Sequence, residues 1–190
     1  MKAEYPTFEY ADAAAWRAWL DDNHHSMDGI WLRMYKKASG VPSVYYAEAL
    51  DEALCYGWID GQVKKYDEVS YLQKFTPRRP RSLWSKRNIE YISRLTESGK
   101  MMPAGLAEVE RAKSDGRWEA AYDKPSEMKV PDYFQTVLDS RPSTKLAFES
   151  LNKTNRYAIL WNLQTAKTEA TRLRRMEKFL AMLEAGHKPH

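Results

Sequence analysis

The chain has 190 residues, 43% of them hydrophobic, with seven Trp and twelve Tyr. That is enough for one full domain, or for one domain with a helical appendage, and the aromatics supply core anchors. Nowhere do about 18 apolar residues run together, which excludes a spanning helix, and the lone Cys55 excludes an internal disulfide and fits a reducing compartment. The net charge of +4 is unevenly placed, since residues 1–63 balance to −5 and residues 64–100 to +6. The middle of the chain should therefore attract anions.

The first residues, Met1-Lys-Ala-Glu-Tyr-Pro6, hold no apolar stretch of the kind an export signal needs, so a cytoplasmic location is expected. Ala11 to Leu20 reads as a helix with Trp16, Trp19 and Leu20 on one face, broken by Asp21-Asp22-Asn23-His24-His25. In Ile30–Tyr35, Ile30, Leu32 and Met34 alternate with Trp31, Arg33 and Tyr35, which predicts a strand. A turn cluster at Ser39–Pro42 precedes a helix over Tyr46–Leu54, and Gly57 suits its C-terminal cap. Trp58–Val63 and Val69–Phe75 then read as an antiparallel hairpin, which Thr76-Pro77 should end because proline lacks the ladder donor.

From Ser82 on, the pattern is helical. Ser82 or Ser85 should cap a helix carrying Ile89, Ile92 and Leu95 that stops at Gly99, and Pro103 opens another ending near Gly116. Asp123–Pro131 is the best linker, followed by helices over Asp132–Ser140, Ser143–Leu151, Asn155–Gln164 and about Lys167–Ala185. On the last of these, Leu173, Met176, Leu180 and Leu183 mark the expected packed side. The fold class expected is α+β. A small, mostly antiparallel sheet at about residues 30–76 is covered by helices and followed by a helical C-terminal part. The division expected is 1–125 and 126–190, whether separate or packed as one unit.

Several stretches in fixed order resemble the YdeI/OmpD-associated, or bacteriocin-protection, family. They are Ala53-Leu-Cys-Tyr-Gly-Trp-Ile-Asp60, Phe75-Thr-Pro-Arg-Arg-Pro80, Ser82-Leu-Trp-Ser-Lys-Arg-Asn88 and Gly99-Lys-Met-Met-Pro-Ala-Gly105, with a further match from Trp161 through Arg175. The likeness extends from about Trp31 to Gly186. It implies a stress or antimicrobial-peptide resistance context. Some members have been called periplasmic, which the start of this sequence does not suggest. The resemblance transfers no catalytic residues, so a site has to be argued from chemistry.

The residues that carry chemistry are Trp58, Asp60, Gln62, Arg78, Arg79, Ser82, Trp84, Ser85 and Asn88. On a regular strand Trp58, Asp60 and Gln62 would share a face, and the proline-rich exit would bring the arginines over it. A helix starting at Ser82–Ser85 would add free N–H groups, so the set describes a pocket for a phosphate- or carboxylate-bearing small molecule. The plainer reading pairs Asp60 with an arginine and leaves both Trp side chains in the core. Asp60 as a general base, with Ser82, Ser85 or Tyr56 assisting, is the enzymatic alternative. The absence of a nucleophile elbow, a phosphate loop or a partnered internal His weighs against it. The alternative partner is nucleic acid, through the basic, aromatic segment 74–88, though no known reader motif is present. No cofactor is expected. Adjacent His24-His25 lack metal-site spacing, and Cys55 reads as a small buried hydrophobe.

Overall fold

The computed structural model describes residues 5–190; Met1 to Glu4, on which part of the export-signal reading rests, lie outside the described residues. The chain forms two compact units, one built from residues 5–84 and 88–121 and the other from 85–87 and 122–190. It is an α+β protein with one four-stranded sheet and a helical C-terminal part.

In the first unit the strands are β1 (Thr7–Glu9), β2 (Ile30–Tyr35), β3 (Trp58–Lys65) and β4 (Ser70–Pro77), in the sheet order β1-β2-β4-β3. The helices are α1 (Ala13–Asn23), α2 (Tyr46–Cys55), α3 (Lys86–Glu97, whose first two residues fall in the second unit) and α4 (Pro103–Ser114). β2, β4 and β3 are antiparallel neighbours, whereas β1 lies parallel to β2 with α1 as the crossover between them. β1 falls outside the window expected for the sheet, because three residues are too few for an alternation to register.

The alternation in β2 sends Ile30, Leu32 and Met34 inward, where all three are fully buried. They join Phe75, Trp16, Leu20, Leu50 and Leu54 in one core. The Trp16 indole N–H donates to the Ala49 carbonyl at 3.0 Å, so the large ring is buried with its donor satisfied. Cys55 is buried at the end of α2. Beyond it Gly57 turns the chain with φ +75°, a conformation glycine reaches without strain. Gly105 on α4 sits so close to the end of α2 that a β-carbon there would meet the carbonyl oxygens of Cys55 and Leu54.

Three local readings need correction. α1 continues through Asp21–Asn23 and ends at His24, so only the latter part of the expected break terminates it. The Asn23 side-chain amide donates to the Trp19 carbonyl at 2.8 Å, and the Asp21 carboxylate accepts the Tyr56 hydroxyl at 3.1 Å, so these polar residues brace the last turn. β4 runs on to Pro77, whose terminal place opposite Trp58 tolerates a missing donor. In β3 there is a bulge: Asp60 pairs with Phe75 and Val63 with Gln73, leaving Gly61 and Gln62 together opposite Lys74.

The hairpin turn is organised by Asp67. One carboxylate oxygen accepts from the Val69 and Ser70 amides and the Ser70 hydroxyl at 2.9, 2.6 and 2.7 Å. The other accepts from Arg33 at 2.8 Å. The Ser70 hydroxyl first, then the backbone donors and Arg33, outweigh desolvation and hold this carboxyl down at about 2.

The second unit contains α5 (Asp132–Asp139), α6 (Pro142–Glu149), α7 (Lys153–Gln164) and α8 (Glu169–Glu184). Its core is made by Phe134, Leu138, Phe148, Ile159, Leu163, Leu180 and Leu183, with the Phe134 and Phe148 rings edge to face at 5.4 Å. On α8 the buried side is Met176, Phe179, Leu180 and Leu183, whereas Leu173 is exposed. The stripe is therefore one turn shorter at its start than the periodicity implies, and Phe179 widens it. No helix among the described residues is long and apolar enough to cross a membrane.

Candidate functional site

The loop that leaves β4 is folded around Arg78. Its backbone N–H donates to the Gly57 carbonyl at 2.9 Å, anchoring the loop beside the helix–strand corner. Its guanidinium lies 3.6 Å over the Trp84 ring and donates through Nη1 to the Leu83 carbonyl at 3.3 Å. Between them the chain closes on itself, with the Ser82 amide donating to the Arg79 carbonyl at 2.9 Å and the Arg79 amide donating to Ser82 Oγ at 3.2 Å. Pro80 at the tip removes a donor that this turn does not use.

Arg117 follows α4 and completes the loop from the far side. Its Nε donates to both carboxylate oxygens of Asp115 at 2.8 Å, and its Nη1 donates to the Ser82 carbonyl at 3.1 Å. Trp118 packs on Trp84 with ring centroids 5.0 Å apart. Arg117 is only 7% exposed, yet its Nη2 has no acceptor among the described residues, and neither does the buried Nε1 of Trp84. Arg79 and Arg81, by contrast, are exposed on the same loop.

The structure thus gathers Arg78, Arg79, Ser82 and Trp84 into one feature. Trp58 and Trp84 are both 1% exposed and belong to the core. Trp58 meets Trp19 edge to face at 5.8 Å and donates its indole N–H to the His24 carbonyl at 3.1 Å. Asp60 is half-buried and accepts the Tyr46 hydroxyl at 2.8 Å. Arg78 lies three residues beyond the partner of Asp60, roughly 10 Å further along the strand direction. Gln62 is exposed and, because of the bulge, stands on the Lys74 face and not with Asp60. Ser85 is buried and, itself part of the second unit, is bridged there to Tyr122; Asn88 is half-buried in the first turn of α3. Sequence reasoning missed Arg117: its one local signal is Asp115-Gly116-Arg117-Trp118 just past a helix end, and nothing in that spacing points back to residue 82.

The hydroxyl oxygen of Ser82 is engaged by the turn and the Asp60 carboxylate by Tyr46, so the loop's chemistry is that of donors. Among the described residues no group of three His, Cys, Asp or Glu side chains could hold a metal ion. His24 instead makes a 2.8 Å hydrogen bond from Nδ1 to the Leu20 carbonyl.

A family model described as Domain of unknown function (DUF8412) matches residues 8–108, more than half of the chain. The chain belongs to the DUF8412 family. A second model, described as Bacteriocin-protection, YdeI or OmpD-Associated, matches residues 127–186, so the C-terminal part carries that domain. The resemblance is confirmed there, over the stretch that includes Trp161–Arg175. The motifs between Ala53 and Gly105 fall instead within the DUF8412 match. No curated protein and no solved structure matches the chain.

Proposed function

We propose that this DUF8412 protein binds a small anion, without turning it over, at the 78–84 loop of its first unit. The observation that carries the reading is the buried Arg117 Nη2, a cationic donor with no acceptor beside a loop that also presents Arg79 and Arg81. Leaving a buried donor unmade costs about 1–3 kcal/mol, and more for a charged group. A phosphate or carboxylate oxygen admitted to this group would recover that cost and gain charge-assisted hydrogen bonds. The bacteriocin-protection family matched by the second domain supports a setting of antimicrobial-peptide resistance or stress.

Thermal-shift screening against phosphate, nucleotides, phosphosugars and carboxylates tests this, with Arg79→Ala/Arg81→Ala as the exposed-residue variant and Arg117→Met as the buried one. A small-anion stabilisation that both variants lose supports the loop. No stabilisation, or one that both variants keep, rules it out.

A second reading has its own observation. On the sheet face opposite the core, Lys64 Nζ lies 4.1 Å over the Trp31 ring, and Arg33 lies 4.5 and 4.6 Å over Tyr35 and Tyr66. Cations interleaved with aromatic rings on an open sheet suit single-stranded nucleic acid. Its signature is affinity that grows with oligonucleotide length, falls steeply with salt, and is lost in Trp31→Ala.

A further inference from the structure

The second unit contains a cleft of about 740 Å³ between the 125–130 segment and α7. Pro125, Met128 and Val130 form one wall, and Tyr157 and Leu160 form the other. Its charged lining consists of Lys129, Lys153 and Arg156, with no carboxylate among the lining residues. Lys153, Arg156, Tyr157 and Leu160 follow i, i+3, i+4, i+7 spacing and so share one face of α7. The cations occupy its first turn and the apolar groups the turns behind. The cleft is thus graded from a basic mouth to a greasy wall.

A neighbouring cleft of about 600 Å³ shares Lys129 and Val130 but differs in charge. It is lined by Asp123 and Glu127 as well as by Lys86 and Arg172, and the Lys86–Asp123 ion pair at 2.5 Å neutralises its centre. No Asp or Glu lines the larger cleft. The first turn of α7 has no acidic residue, so Lys153 and Arg156 sit at the positive end of the helix dipole, where cations are disfavoured. Arg156 is held in place by lying 4.9 Å over the Phe148 ring. Burial pushes the Tyr157 phenol up.

We propose that this cleft binds an anionic amphiphile, a small molecule with an alkyl or aryl body and a terminal carboxylate. Its volume lies within the roughly 300–1,000 Å³ typical of small-ligand sites. The apolar body is removed from water against Met128, Val130, Tyr157 and Leu160. The head group meets Lys129, Lys153 and Arg156 and relieves their mutual repulsion and their conflict with the helix dipole. Neither half of the ligand suffices: a bare anion finds no wall, and a neutral chain leaves the three cations as they were.

Isothermal titration calorimetry on the full chain separates these terms with decanoate, decanol and acetate as probes. Decanoate below its micelle-forming concentration should bind. Decanol should bind about tenfold or more weakly, and acetate should give no heat at ~1 mM. Lys153→Gln/Arg156→Gln should weaken decanoate by a similar factor, and Ser126→Glu, which places a carboxylate in the cleft, should weaken it too. Because Lys153, Arg156 and Ser126 are not core residues, an unchanged melting curve certifies each variant. Arg79→Ala/Arg81→Ala should leave decanoate binding intact, which keeps this cleft distinct from the loop of the first unit. The proposal is overturned if decanoate gives no heat, binds only as micelles, binds no better than decanol, or binds the Lys153/Arg156 variant as it does the parent.

Discussion

At Gly105 the backbone of α4 comes so near the end of α2 that a β-carbon would lie 2.8 Å from the Leu54 carbonyl oxygen, closer still to that of Cys55. Both obstacles are backbone atoms that cannot rotate aside. Gly105→Ala should therefore destabilise the first unit by about 1–3 kcal/mol, read as a fall in Tm of about 2–4 °C per kcal/mol. Asp67 gives a prediction of a different kind. Its carboxyl is held at about 2 by Ser70, the turn amides and Arg33, below the roughly 3.9 of an unfolded aspartate. A depressed acid stabilises the fold above the unfolded value, and that stabilisation is lost as pH falls through the folded one. Asp67→Asn keeps an acceptor for the turn but loses the charge. It should lower Tm at pH 7, and the gap to the parent should close as pH is taken from about 4 to 2.

Among the elements, α1 shows how local chemistry and tertiary packing divide the work. Its N-cap Asp12 accepts from the Ala15 amide at 2.8 Å, and Asp12→Ala should cost about 1 kcal/mol by chemical denaturation. The buried set Trp16 and Leu20 was legible from spacing alone, as were all of β2 and the end of α2 at Gly57. What spacing could not reveal was set by partners distant in sequence. Asp21–Asn23 look like a helix stop until Tyr56 and the Trp19 carbonyl supply partners. Gln62 looks like a member of the Asp60 face until the pairing with β4 inserts an extra residue. The candidate loop was legible in the same partial way. Arg78, Arg79, Ser82 and Trp84 lie close in sequence and meet in space, whereas Arg117 is joined to Ser82 across 35 residues. A single sequence encodes that contact only through the fold.

For the whole molecule, each hydrophobic core lies within one unit. Six of the seven Trp residues belong to the first unit and Trp161 alone to the second. Phe148 belongs to the core of the second unit, and were that unit to unfold independently, Phe148→Ala should remove about 3–5 kcal/mol from it alone. The helical circular-dichroism transition would then move while the Trp fluorescence transition stayed; both moving together would mean a single cooperative unit. The bulge in β3 bears on how the protein behaves among copies of itself. β3 is an outer strand, exposed from Gly61 to Lys65 with Val63 at 61%, and such a strand invites a second chain to add to it. The extra residue at Gly61–Gln62 breaks the even ladder that a newcomer would need, and Lys64 and Lys65 place charge where it would dock. Lys64→Val/Lys65→Val should leave the fold intact yet raise light scattering on warming, because it removes the charge from this edge, where the irregularity that turns Gln62 away from Asp60 already makes a poor template for another chain.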